Sequence, residues 1–138
     1  MSGPAFVWPV RVYWEDTDAG GVVYHASYVR FLERARSEWL RVLGIGQQAM
    51  RERLDRVLVV HSMTLDFRKP ARLDDQLSVS VGLLQCRRAS FALSQTIVTD
   101  TTTLVQAQVR IACVAPEDFR PQPLPEPLVA ALTLESCR

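Results

Sequence analysis

The sequence predicts an α+β domain in which one long helix is wrapped by a curled antiparallel sheet of about five strands. Three observations carry this. Tyr28, Phe31, Leu32, Ala35, Trp39, Val42 and Leu43 recur at three- and four-residue steps, the period of one helix face. After Arg56 the apolar period changes to two and keeps that value through the later segments. One further apolar segment precedes the helix. A striped helix and a one-sided sheet each leave an apolar face open, and packing one on the other closes both.

The first segment runs from Phe6 to Tyr13 and is interrupted by Pro9. Proline donates no ladder hydrogen bond, so this is an edge strand or a strand that begins after Pro9. Glu15 to Gly21 is turn-rich and links it to the helix. Gly44 supplies the helix stop, and a weaker helical pattern follows from Gly46 to Leu54. From Val57 to Phe67 one strand face reads Val57, Val59, Met63, Leu65 and Phe67, with His61 on that same apolar face as a core histidine. Leu77, Val79, Val81 and Leu83 alternate with Ser78, Ser80 and Gly82. Phe91, Leu93 and Ile97 form the next face, broken by Gln95, and Val105 to Cys113 the last. Such alternation buries one face and wets the other, as antiparallel sheets do. Arg87-Arg88-Ala89 and Asp100-Thr101-Thr102 are short enough for hairpins. Five of the eight prolines lie between Pro116 and Pro127, so 116–138 reads as a Pro-rich tail that ends in a short helix from Pro125 to Leu134.

Length 138 suits one domain, 1–138, and 48% hydrophobic with 22% charged residues is globular composition. Sixteen basic against fifteen acidic residues, with no basic tract, argue against a nucleic-acid partner held by phosphate contacts. The apolar runs are too short for a membrane span, and MSGPAFVWPV lacks the charged and apolar regions of a secretory signal. Cys86, Cys113 and Cys137 have neither zinc-site nor disulfide-framework spacing. Reduced thiols and a cytoplasmic location are expected.

Chemistry concentrates between strand and helix. Asp16, Asp18 and His25 flank Gly20-Gly21, which lets the chain double back and set Asp18 near the first helical turn. That turn has open N–H groups and the positive end of a helix dipole, suited to a developing oxyanion. A carboxylate there can act as nucleophile or general base on an acyl group, or can simply cap the helix and order the turn. No second His or Cys supports a metal at Asp16, Asp18 and His25. Ser27 and Ser90 lack the surroundings of a triad. Tyr13 and Trp14 are expected to pack.

The run Asp16-Thr17-Asp18-Ala19-Gly20-Gly21-Val22-Val23-Tyr24-His25-Ala26-Ser27-Tyr28, preceded by Tyr13-Trp14-Glu15, closely resembles the 4-hydroxybenzoyl-CoA thioesterase family. Within it the sequence is most similar to the Tol–Pal-associated acyl-CoA thioesterase branch. Phe31 to Arg36, Phe67-Arg68-Lys69-Pro70-Ala71 and Asp74-Asp75 extend the resemblance over nearly the whole chain. It implies the hotdog fold, hydrolysis of an acyl-CoA thioester to CoA and a carboxylic acid, and no cofactor. It implies Asp18 as the catalytic carboxylate, with carbonyl polarisation by backbone N–H at Tyr24-His25 and the His25 side chain lining the site. Beside that resemblance, Asp16 reads as a structural residue that organises the loop, and shaping the acyl pocket is the alternative to packing for Trp14. Arg87 and Arg88, with Arg68 and Lys69, would hold nucleotide phosphates or, alternatively, form solvated turns. Acyl carrier protein thioesters are a second substrate source. The working unit would be a homodimer or homotetramer with sites between subunits. A non-catalytic acyl-thioester-binding protein and a hotdog 3-hydroxyacyl thioester dehydratase are the alternatives.

Overall fold

A computed structural model describes residues 6–136. Strands β1 (Phe6–Arg11), β2 (Val57–Phe67), β3 (Gln76–Cys86), β4 (Ser90–Thr99) and β5 (Thr102–Val114) form one antiparallel sheet in the order β1-β3-β4-β5-β2. Helix α1 (His25–Val42) lies against β3 and β1, α2 (Gln47–Leu54) against β2, and α3 (Glu126–Ser136) against β3. Pro9 sits inside β1, and β1 is an edge strand, so the missing N–H breaks no second ladder.

The predicted helix stripe is the core. Phe31, Leu32, Ala35 and Trp39 are buried against Leu77, Val79, Phe91, Leu93 and Ile97 of the sheet. Gly44 stops α1 with φ +86°. Its N–H reaches the Arg41 carbonyl at 3.0 Å and the Ile45 N–H reaches Leu40 at 2.8 Å, a Schellman closure. The Pro-rich segment returns onto the sheet: Leu124, Leu128 and Leu132 are buried, and the Leu124 N–H bonds the Arg88 carbonyl at 2.8 Å.

Three expectations are corrected. The ladder between β2 and β5 shifts between Val60 and Ser62, so His61 is a bulge residue, exposed rather than in the core. The shift also exchanges faces. Leu58 and Val60 lie opposite core-facing Cys113 and Ile111, while Met63, Leu65 and Phe67 continue that face beyond the bulge. Val57 and Val59 therefore leave the face assigned to them. The third correction is Tyr13 and Trp14, which do not pack; Trp14 is 82% exposed. A 3₁₀ turn over Trp14–Asp16 rolls Asp16 inward, and that turns Trp14 out.

Gln95, which interrupts the apolar face of β4, is fully buried and forms three hydrogen bonds. Its Nε2 donates to the carbonyls of Leu32 at 3.1 Å and Ser80 at 3.2 Å, and its Oε1 accepts from Arg36 Nη1 at 3.0 Å. The side chain thus joins α1 to two strands.

Candidate active site

The loop between the 3₁₀ turn and α1 is a small hairpin. Thr17 bridges Val23, the Asp18 N–H bonds the Val22 carbonyl at 2.9 Å, and the Gly21 N–H closes on the Asp18 carbonyl at 3.0 Å. Asp18 Oδ1 accepts the Gly20 N–H at 2.8 Å, which fixes the carboxylate over its own turn. The two glycines matter for different reasons. Gly21 has φ +81°, and a Cβ at Gly20 would stand 3.2 Å from Asp18 Oδ1. Asp18 is exposed, and its Oδ2 carries no partner among the described residues.

Asp16 anchors this hairpin from below. Its buried carboxylate accepts the Tyr13 N–H at 2.8 Å and faces Arg30 at 3.5 Å, and its carbonyl accepts the Tyr24 N–H at 2.8 Å. Arg30 also donates to Ser27 at 3.0 Å. The loop is therefore tied to the first turns of the helix it precedes.

That helix begins without a side-chain cap at Tyr24. The Ser27 N–H turns back to the Tyr24 carbonyl at 2.8 Å, and the Tyr24 N–H is taken by Asp16. The expectation for Tyr24 is thereby narrowed: the N–H groups open at this end are those of His25 and Ala26. The Tyr24 and His25 rings lie 4.5 Å apart, and both are exposed.

Tyr28 and Phe67 were not picked out as site residues by sequence. Tyr28 is buried, accepts the Ala71 N–H at 2.9 Å, and stands 5.6 Å ring to ring from Phe67. Burial pushes its hydroxyl pKa up; the Ala71 N–H opposes this, and Asp18 and Asp75 add to it. The Tyr28 hydroxyl is therefore within electrostatic reach of Asp18. The Ala71 carbonyl accepts the Val23 N–H at 2.9 Å, and Arg72 bridges Val22, so Ala71 and Arg72 form the other wall. The Lys69 N–H bonds the Leu104 carbonyl of β5 at 3.2 Å, two residues before this wall. Arg68 is turned away, with its guanidinium bound to Asp66 at 3.0 Å and Gln106 at 2.8 Å.

Arg87 and Arg88 are not brought to this place. They form the β3–β4 turn, at the opposite end of β3 from Gln76, which pairs with Arg11 at the loop end. Eleven residues of strand separate the ends by roughly 35 Å. Among the described residues no group of three or more His, Cys, Asp or Glu side chains could hold a metal.

The model of the thioesterase-like superfamily matches residues 12–132, which takes in the loop, helix α1 and strands β2 to β5. The chain belongs to this superfamily. Its curated relatives are named as thioester hydrolases, and the chain is such an enzyme. Acyl-CoA thioester hydrolase YbgC of Escherichia coli is 49% identical over 132 residues, covering 94% of this chain and 97% of the relative. Acyl-CoA thioesterase YbgC of Haemophilus influenzae is 42% identical over 131 residues, covering 95% and 96%. Among solved structures, the 1,4-dihydroxy-2-naphthoyl-CoA thioesterase Slr0204 of Synechocystis superposes with a TM-score of 0.87 at 27% identity, covering 94% and 96%. The helix wrapped by five antiparallel strands is the hotdog fold of these enzymes.

Proposed function

We propose that this thioesterase hydrolyses acyl-CoA thioesters to CoA and a free carboxylic acid, with Asp18 as nucleophile or general base. The observation that carries the reading is the pairing of one free carboxylate oxygen with an uncapped helix end. Asp18 Oδ1 is held by Gly20 while Oδ2 is open, and the helix next in the chain offers the N–H groups of His25 and Ala26. A thioester carbonyl bound there develops negative charge on oxygen as it is attacked, and those donors stabilise it more than the ground state. Asp18 either attacks the carbonyl carbon, expelling CoA thiolate and leaving an acyl–Asp18 mixed anhydride that water then cleaves, or takes a proton from a water that attacks the carbonyl and displaces CoA thiolate. The YbgC relatives support the acyl-CoA substrate, and the Asp16–Tyr28 motif is what carries the resemblance to the Tol–Pal-associated branch.

The working unit is a homodimer or larger. Strand β2 is an edge with Val60 and Phe67 about half exposed, and Trp14 stands out beside the loop. Such an edge invites pairing, and a two-fold axis would cover both copies with one interface. Arg87 and Arg88 contact CoA phosphates at the Asp18 site only from a second chain, since their own Asp18 is at the far end of the strand. Lys69 serves from the same chain. The free thiols of Cys86 and Cys113 suit a reducing cytoplasm; Cys137 lies outside the described residues. No described helix is long and apolar enough to cross a membrane.

The test is thiol release from short, long and aromatic acyl-CoA esters and from acyl carrier protein thioesters. Free thiol supports hydrolysis. An enoyl product without thiol would mark a dehydratase, and tight binding with neither product a non-catalytic binder.

A further inference from the structure

A cavity of about 130 Å³ lies between the C-terminal half of α1 and the edge strand β2. Its apolar wall includes Trp39, Leu40, Leu58, Phe91 and Ile111. Into this wall is set the guanidinium of Arg36, a residue only 7% exposed. Nη1 is engaged by Gln95, and the remaining donors of Arg36 have no acceptor among the described residues. They are nevertheless not sealed off, since Arg110 Nη1 is the buried, unpartnered side-chain nitrogen of the described residues. Glu33 is the other charge at the cavity, exposed at its rim and accepting from Ser37 Oγ at 2.6 Å. Burial pulls the Arg36 pKa down, Glu33 pushes it back, and the side chain stays cationic.

The cavity lies in line with the proposed site. Strand β2 runs antiparallel beside α1: Leu58 to Val60 stand by Arg36 and Leu40, and Phe67 stands by Tyr28. A group bound at the His25 end and extended along this edge reaches Arg36 after eleven helical positions, about 16 Å. A space of this size holds roughly one ring or a short run of methylenes. An all-alkyl chain end would strip water from an unpaired guanidinium and return no hydrogen bond.

We infer that this cavity receives the distal end of the acyl group, and that Arg36 selects acyl chains carrying an oxygen acceptor there, a terminal hydroxyl or carboxylate. Arg36 is then a specificity-determining residue; it takes no part in the chemistry at the carbonyl. The inference rests on the acyl thioesterase reading above. A charge-assisted hydrogen bond that must otherwise be lost gives a preference of about ten- to hundredfold.

The experiment compares kcat/KM for CoA esters of roughly eight to fourteen carbons in three series: unsubstituted, ω-hydroxy and ω-carboxy. In the wild-type enzyme at least one oxygenated series should exceed the unsubstituted one at some length by tenfold or more, and Arg36→Met should bring that ratio near one. Arg36→Lys should restore part of it. Because Arg36→Met disturbs Gln95, Val60→Asp serves as a second variant: it places a carboxylate at the cavity wall, leaves Arg36 and Gln95 in place, and should abolish a carboxylate preference. Dodecanedioate should raise the melting temperature of the wild type and not of Arg36→Met. Hydrolysis with no preference for either oxygenated series, or a preference that survives in Arg36→Met, overturns the inference. No thiol release from any series overturns the reading beneath it instead.

Discussion

Replacing Gln95 with Leu would repair the one polar break in the apolar face of β4, and pattern alone predicts a more stable protein. The hydrogen bonds predict the opposite. Gln95 Oε1 accepts from Arg36 Nη1, and its Nε2 donates to the Ser80 carbonyl. The neighbouring Thr96 N–H is committed to Ser80 Oγ at 2.9 Å, so the strand ladder has no replacement donor at hand. Losing the charged hydrogen bond costs about 1.5–3 kcal/mol, and orphaning the carbonyl costs about 1–3 kcal/mol. The added apolar burial returns about 1.5–3 kcal/mol. The net is a destabilisation of about 2 kcal/mol, a fall of roughly 5–8 °C in Tm for a chain of this length. Adding Arg36→Leu removes the orphaned charge and should restore at least about 1 kcal/mol over the single variant. Urea unfolding with an unchanged slope is the assay. A Gln95→Leu protein as stable as the wild type would refute the network.

The remaining predictions concern assembly, the helix end and pH. Arg87→Ala with Arg88→Ala should raise KM for CoA esters with kcat little changed, and esters lacking the nucleotide should be insensitive. Mixing that variant with Asp18→Asn chains should regain activity, because one site of each mixed dimer is then intact; no recovery on mixing would show that no partner supplies the arginines. His25→Ala should cost less than Asp18→Asn, since the backbone donor survives; equal losses, measured in kcat, would instead make Asp18 and His25 one unit. Burial holds the Cys113 thiol pKa above its ordinary range, with Arg56 opposing. The stabilisation this represents is complete below the unfolded thiol pKa of about 8.5 and is lost as pH rises through the higher folded value. Urea midpoints should therefore fall above that pH, and fall less steeply in Cys113→Ala.

The legible parts of this fold were those set by local period. The Phe31–Leu32–Ala35–Trp39 stripe and the alternation of Leu77, Val79 and Val81 follow from helix and strand geometry, and they fixed which faces meet. The bulge at His61 was not legible, because one extra residue in a strand looks like continued alternation until the partner strand is known. Gln95 was visible only as a break, since its partners lie 15 to 63 residues away. The loop motif pointed to Asp18 and the helix end. Occupancy of the Tyr24 N–H by Asp16 is a tertiary fact, as is the turning of Arg68 to Gln106. Spacing likewise could not reveal that Arg87 and Arg88 lie a full strand away from Asp18.

Hydrolysis at this site depends above all on the open carboxylate oxygen of Asp18, in the hairpin that leads into the uncapped end of α1. Its most direct test is kcat for thiol release by Asp18→Asn, measured on the best ester of the panel with folding checked by the unchanged urea midpoint. The substitution keeps the side chain's size and one oxygen, and removes the charge and basicity that either role requires. Positioned bases and nucleophiles contribute about 10²–10⁴-fold. The expected result is a fall of at least about a hundredfold. A folded variant that keeps more than about a tenth of the wild-type rate would contradict it.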